Sequence, residues 1–233
     1  MASVLRLDWA THEAAKYACE NWHYTKSLPP PPLVKIGVWE NNTFVGVVIF
    51  GRGANNNLYR PFGLSGVEGA ELVRVAMKSH QSAVSKVIAI AIRMLKKTNP
   101  GIKIVVSHAD PAQGHIGAVY QAGNWVYTGR TAKDKAFIDK NGRRWHSRMI
   151  SRSGVKKVYG IKRKVLRPSD CQEIELPGKY RYVYPLSNEL KTVIEKMRKP
   201  YPKRAVSKEN VATGFQSVEG GANPTTALQT EIT

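Results

Sequence analysis

Two runs of apolar, β-branched residues, VKIGVWE (34–40) and TFVGVVIFG (43–51), flank the turn Glu40-Asn41-Asn42. That pattern predicts a hairpin of largely buried strands. Ahead of it, AAKYACENW supplies helix formers up to Trp22, with Thr11 placed to cap the first turn. The run Leu28-Pro29-Pro30-Pro31-Pro32 stops that helix, because successive prolines lack amide donors and hold the chain extended. Further on, AELVRVAM (70–77) reads as a strand and SAVSKVIAIAIRMLKK (82–97) as a helix with its cations at the C-terminal end, where they complement the dipole. KIVVSHAD (103–110) reads as a buried strand and GHIGAVYQAG (114–123) as a short helix closed by Gly123 in the left-handed conformation. NWVYTGRT (124–131) reads as a further strand. The Gly- and Asn-rich stretch from 51 to 70 is a long loop, of the kind that is usually functional or mobile.

The order strand, helix, strand, helix, strand, after an N-terminal helix and a hairpin, predicts an α/β fold with a mixed central sheet flanked by helices. Residues 136–165 alternate around Lys140-Asn141-Gly142, an Asn-Gly hairpin signal. A strand near Tyr180–Tyr184 and a capped helix over 187–199, with Ser187 and Leu190 bracketing its first turn, follow. The expected organisation is a catalytic core over 1–131, a basic extension over 132–200 and a disordered tail over 201–233, where Pro, Gly, Thr and Ser dominate without period.

Charge sharpens this picture. The formal net charge is +19, and it is uneven: residues 1–130 carry 14 Lys and Arg against 7 Asp and Glu, residues 131–204 carry 21 against 7. An extended polyanion is the natural partner of such a surface, since clustered cations displace counterions from a phosphate backbone. The bland reading, a solvated basic face or a ribosome- or membrane-surface binder, stays open. Cys19 and Cys171 stand far apart without a CxxC or His-rich context, so neither a zinc knuckle nor a disulfide framework is signalled, which fits a reducing cytoplasm. No stretch reaches the ~18 apolar residues of a membrane span, so a cytoplasmic protein without a membrane partner is expected.

Several residue strings carry chemistry: His23-Tyr24, the strand Glu71-Leu72-Val73-Arg74, the strand end Ser107-His108-Ala109-Asp110, and Gly114-His115-Ile116-Gly117 leading to Tyr120-Gln121-Ala122, then Asn124-Trp125 and Tyr127. The element order of 70–131 resembles the GNAT acetyltransferase fold, in which a splayed sheet holds an acyl donor against the helix after the fourth strand. The strings themselves resemble the Mom family of phage DNA modification proteins. That resemblance implies transfer of a carbamoylmethyl group to the exocyclic amine of adenine in double-stranded DNA, protection from host restriction, and a site of action in the host cytoplasm. It also exposes a departure: GNAT enzymes cradle the coenzyme A pyrophosphate on a glycine-rich loop, whereas the corresponding Gln81-Ser82-Ala83-Val84-Ser85-Lys86 has no glycine. Acyl-CoA and an aminoacyl-tRNA such as glycyl-tRNA are both candidate donors, with Arg74, Gln81, Ser82, Ser85 and Lys86 as donor-binding residues.

Adenine's amine is a poor nucleophile, so a positioned base or acceptor is needed. Asp110 is the first choice, with Ser107 beside it at the strand end; the alternative for Asp110 is an N-cap with Pro111 in the first turn. Tyr120 falls where GNAT enzymes often place the acid for the leaving group; the alternative is core packing. His23 and Tyr24, held by the proline run, are expected over the pocket. His108, Asp110 and His115 admit an iron site of two His and one carboxylate. For DNA, the candidates are Arg52, the tip residues Arg143, Arg144, Trp145 and Arg148, and the phosphate contacts Lys162, Arg163 and Lys164. Two other functions fit the same features: an acyl- or aminoacyltransferase acting on protein or small amines, and a basic DNA-binding protein without catalysis.

Overall fold

The apolar runs close into a seven-stranded mixed sheet in a computed structural model, which describes residues 4–203 except 54, 56 and 159. Its order is β1 (Leu5–Trp9), β2 (Leu33–Glu40), β3 (Thr43–Gly51), β4 (Gly69–Met77), β5 (Ile104–Ala109), β12 (Tyr180–Pro185) and β6 (Val126–Arg130). The first strand is absent from the sequence expectation: only Leu5 and Leu7 mark its inner face, too short a period to read, yet it pairs with β2 from Leu5 opposite Glu40 to Trp9 opposite Ile36. Both faces of the sheet are covered, as its apolar strands require. Alternation along β3 sends Val47 and Ile49 to α1 (His12–Trp22), where Ala15, Ala18 and Cys19 are buried, and Val48 and Phe50 to α2 (Val84–Thr98), which buries Val87, Ile88, Ala91, Ile92 and Leu95. Thr11 caps α1 as expected, accepting the Ala14 amide at 3.1 Å.

One feature of the sheet makes room for a site. β4 and β5 are neighbouring parallel strands, paired only from Gly69 opposite Ile104 to Leu72 opposite Ser107; β4 then runs on to Met77 while β5 stops at Ala109. The strands part at that point, and side chains that would otherwise pack against each other face open space.

Three expectations are corrected. The core does not end at residue 131: β12, drawn from the segment assigned to the basic extension, inserts between β5 and β6, with Tyr182 opposite Ser107. What remains of the extension is a three-stranded sheet of β11 (Cys171–Leu176), β7 (Asp134–Asp139) and β8 (Arg144–His146), and a separate hairpin of β9 (Val155–Val158) and β10 (Ile161–Lys164). The helix expected at 114 begins only at α3 (Ala118–Ala122), and the left-handed residue that closes it is Asn124 (φ 58°), Gly123 having φ −90°. Finally, the start of the tail is ordered: the Tyr201 hydroxyl donates to the Trp125 carbonyl at 2.7 Å, and the ring packs against the core. Beyond Lys203 the tail lies outside the described residues. The helix expected over 187–199 is α4 (Asn188–Glu195), capped by Ser187, which accepts the Leu190 amide. Leu190 and Ile194 on α4 pack with Tyr59 and Phe62, so the long loop is pinned to the core rather than loose. Cys19 and Cys171 are free thiols, and no described helix is long and apolar enough to cross a membrane.

Candidate active site

Where β4 and β5 part, a cavity of about 500 Å³ opens. Its walls are Trp22, His23 and Tyr24 at the end of α1, Leu72 to Val75 of β4, His108 and Ala109 of β5, and Gly114 to Tyr120. Four of the polar groups there are informative.

Arg74 is half-buried; its Nη1 donates to the Val73 carbonyl at 2.7 Å, but its Nε–H is buried and meets no acceptor. An orphaned donor on a permanent cation costs about 1–3 kcal/mol or more, a penalty relieved when a ligand brings an oxygen to it. Tyr120 lies in a short relay: Ser107 Oγ is 2.9 Å from the Leu72 carbonyl and 2.8 Å from the Tyr120 hydroxyl. The serine has one proton, and the carbonyl can only accept, so a proton given to Leu72 leaves the Tyr120 hydroxyl to donate toward Ser107 or into the cavity. Burial pushes the Tyr120 phenol up to about 12, so it keeps its proton at neutral pH.

His23 is held near 4 by burial and by the neighbouring Arg74 guanidinium. The Thr25 amide donates to its Nδ1 at 3.2 Å, so the proton of the neutral ring sits on Nε2. Its stability contribution has a definite sign. The unfolded chain protonates this ring near pH ~6.5 while the native state resists until about 4, so stability falls as pH drops through that window and is intact above it. By NMR, the His23 ring is expected to stay neutral from pH 7.5 to 5; a titration near ~6.5 contradicts this placement.

The fourth group pairs with a residue that the sequence reading did not single out for the site. Glu71 Oε1 lies 3.0 Å from His108 Nδ1, and both side chains are largely buried at 16% exposure. A carboxylate only accepts, so Nδ1 carries a proton, and the neutral ring then has its lone pair on Nε2. Unbroken alternation would put Glu71 and Arg74 on opposite faces, but the register of β4 against β3 shifts at Val73 and breaks that count. The contact of Glu71 with His108 is set by the register of two strands, for which the sequence carries no signal.

The first-choice base, Asp110, is placed otherwise. Its carboxylate accepts the Ala112 amide at 3.0 Å, opening the 3-10 turn Pro111–Gln113, and lies 3.5 Å from Lys179 Nζ. It sits beside Tyr24, whose phenol is raised first by burial and then by this carboxylate, but it does not line the cavity. The N-cap alternative is therefore the one realised locally. The iron triad does not assemble: His108 is turned to Glu71, Asp110 to its turn, and His115 lies edge-on to Tyr24 at 5.8 Å, and no cluster of three or more potential metal ligands occurs among the described residues.

Of the donor-binding set, only Arg74 lines the cavity. The amides of Gln81 and Ser82, just before α2, are both taken by the Glu40 carboxylate, at 2.8 and 2.6 Å. Burial raises this carboxyl but the hydrogen bonds from Ser82 and Gln81 outweigh it and hold it below its usual range. A pyrophosphate at those amides meets a buried carboxylate and no glycine, so these residues do not fit coenzyme A in that position. Ser85 and Lys86 lie in the first turn of α2, with Lys86 exposed.

The cavity roof depends on one close approach. Gly117 has φ +83°, and a Cβ there would meet the Tyr182 ring at 2.2 Å, while the Tyr182 hydroxyl donates to the Ile116 carbonyl at 2.5 Å and receives Gln121 Nε2 at 3.0 Å. Gly117→Ala combines a left-handed penalty with overpacking, expected to cost on the order of 3 kcal/mol and to be read as a lowered Tm. An unchanged Tm contradicts this packing.

The nucleic-acid candidates lie outside the cavity. Asp139 accepts the Asn141 and Arg143 amides and Trp145 Nε1, and the Arg143 guanidinium covers the Trp145 ring at 4.6 Å. Trp145 is thus engaged within its own hairpin, with Arg143 over one face of its ring. Arg144 is exposed at the start of β8; the side chain of Arg148 lies outside the described residues. Arg52 is exposed, and its carbonyl accepts the Tyr59 hydroxyl. Lys162, Arg163 and Lys164 are exposed on β10. A more exposed aromatic at the cavity is Tyr24, 47% exposed, with its ring 4.3 Å from that of His23 and tilted 31° to it.

Over 211 residues the chain is 26% identical to the methylcarbamoylase mom of Escherichia phage Mu, covering 85% of this chain and 84% of that protein. Among solved structures it is similar to the ribosomal-protein-S18-alanine N-acetyltransferase of Escherichia coli, at 8% identity and a TM-score of 0.44 over 79% of this chain and 95% of that one. It is also similar to a Bacillus subtilis acetyltransferase in complex with CoA, at 13% identity and a TM-score of 0.40 over 80% and 100%. A model of the Mom protein family matches residues 4–203, which is every described residue, and the chain belongs to that family.

Proposed function

We propose that this chain is a phage DNA-modifying transferase that adds a carbamoylmethyl group to the exocyclic amine of adenine. The observation that carries the proposal is the convergence, on one cavity, of the unmet Nε–H of Arg74, of His108 with Glu71 behind it, and of a protonated tyrosine. Each answers one need of the reaction. Arg74 offers its buried Nε–H to a carbonyl or carboxylate oxygen of the donor. The bond from adenine N6 to the transferred carbon forms as the bond from that carbon to the leaving group breaks. The proton lost from N6 passes to His108 Nε2, held in the right tautomer by Glu71. The leaving group takes the Tyr120 proton, and His108 returns its own to the phenolate through the cavity. Group and base therefore sit between a donor and an acceptor of protons, both fixed by packing.

Adenine reaches such a cavity only by leaving the base stack, and the half-exposed ring of Tyr24 at the cavity wall is suited to hold it. The donor is read as one anchored through Arg74, without a pyrophosphate at α2. No observation speaks for the aminoacyl-tRNA alternative. The net charge of +19 favours DNA over protein or small amines as the acceptor. The test is a plasmid from cells expressing the protein. It is expected to resist restriction endonucleases whose sites contain adenine, through an adenine heavier by one carbamoylmethyl group. Full cleavage, or an adduct on another base, overturns the reading.

A further inference from the structure

The hairpin of β9 and β10 is unusual in what it places side by side. Five of its eight strand residues are Lys or Arg and none is acidic. Its register sets Lys157 directly opposite Lys162 and Lys156 directly opposite Arg163. Like charges at that separation oppose pairing, and a two-stranded ribbon is marginal by itself in water. This one bonds to no other strand among the described residues and leaves Val155 and Ile161 43% and 60% exposed. No described carboxylate pairs with Lys157, Lys162, Arg163 or Lys164. What fixes the hairpin is its base: the Val165 amide donates to the Gly154 carbonyl at 2.9 Å, the Ser151 amide to the Leu166 carbonyl at 3.1 Å, and Ile150 is buried. The ribbon thus projects from an anchored stem.

Alternation distributes the cations over both sides. Lys157, Lys162 and Lys164 share one face, Lys156 and Arg163 the other. A ribbon made to lie flat on a polyanion needs charge on one face only. Charge on both faces suits insertion between two phosphate walls, and the major groove of B-DNA, about 12 Å wide, admits a two-stranded ribbon. We propose that β9–β10 enters the major groove of duplex DNA and grips the phosphates on both sides of it. This rests on the DNA reading above and deepens it: the groove is the one that displays adenine's amine, so the ribbon selects the duplex form of the substrate and its orientation.

The test is binding of the purified full chain to an unmodified DNA duplex across a range of salt. Replacing Lys157, Lys162, Arg163 and Lys164 together by alanine is expected to weaken binding roughly a hundredfold at low salt. The slope of log affinity against log salt becomes shallower by about 3 to 4. Thermal stability without DNA stays level or rises, because repulsion is removed. A second variant, Lys157→Glu, gives the ribbon a cross-strand ion pair with Lys162 that keeps it folded, and its DNA affinity also falls. An RNA duplex of the same sequence is expected to bind more weakly than DNA and to lose little in the alanine variant, because the A-form major groove is too narrow for side chains to enter. Unchanged DNA affinity and slope in both variants overturns the proposal. So does equal, equally sensitive binding of the RNA duplex. Because binding is read without any modification step, failure here is distinct from failure of the transferase reading, which shows only in the chemistry of adenine.

Discussion

Tyr120→Phe is expected to lower kcat for adenine modification by roughly 100- to 10,000-fold while leaving DNA affinity unchanged. The phenol is held protonated up to about 12 and meets Ser107 Oγ at 2.8 Å, so it is a proton source that neutral solution does not deplete. Phenylalanine keeps the ring contacts with Trp125 and Tyr182. It leaves Ser107 bonded to the Leu72 carbonyl. The loss of one hydrogen bond costs about 1 kcal/mol of stability, too little to unfold the site. A variant with full activity shows that the leaving group needs no acid from this position. A variant that loses DNA affinity as well assigns Tyr120 to structure instead.

Glu71→Gln is expected to have an effect of similar size, by a different route. The amide is nearly the shape of the carboxylate, but its N–H can donate to His108 Nδ1, which moves the ring proton to Nε2 and removes the acceptor for the N6 proton. Glu71 is thus a positioning residue acting through His108. Two readouts separate this from mere destabilisation. The ¹⁵N shifts of the His108 ring are expected to report the Nδ1–H tautomer in the native protein and the Nε2–H tautomer in Glu71→Gln. Adding His108→Gln to Glu71→Gln is expected to cost little further, since the pair works as a unit. Independent, multiplying losses contradict the pairing.

These groups show why the sequence carried the fold further than the site. Strands β2 to β6 and helices α1, α2 and α4 announce themselves through period and caps, because burial of a face writes itself into consecutive residues. β1 is too short to do so, and β12 shows its strand character at Tyr180–Pro185 but not its place, because insertion between β5 and β6 is a long-range pairing. The same limit governs chemistry. His23, Tyr24, Arg74 and Tyr120 were legible from motif and position, and all four line the cavity. Glu71 was legible as a residue but not as the partner of His108. Asp110 is ambiguous for the opposite reason: a carboxylate at a strand end before proline satisfies both a catalytic and a capping description, and the folded chain shows the capping bond. The glycine-free stretch 81–86 signalled that an anion loop was missing, yet only the folded chain brings Glu40 to its amides.

The proposed place of adenine modification is the cavity between β4 and β5. Nucleoside mass spectrometry addresses it most directly, applied to plasmid DNA from cells expressing the native chain, Tyr120→Phe or Glu71→Gln at equal soluble levels. Deoxyadenosine heavier by one carbamoylmethyl group is expected with the native chain and its near absence with either variant, both of which still bind duplex DNA. Unmodified deoxyadenosine with the native chain, or full modification with both variants, would contradict it.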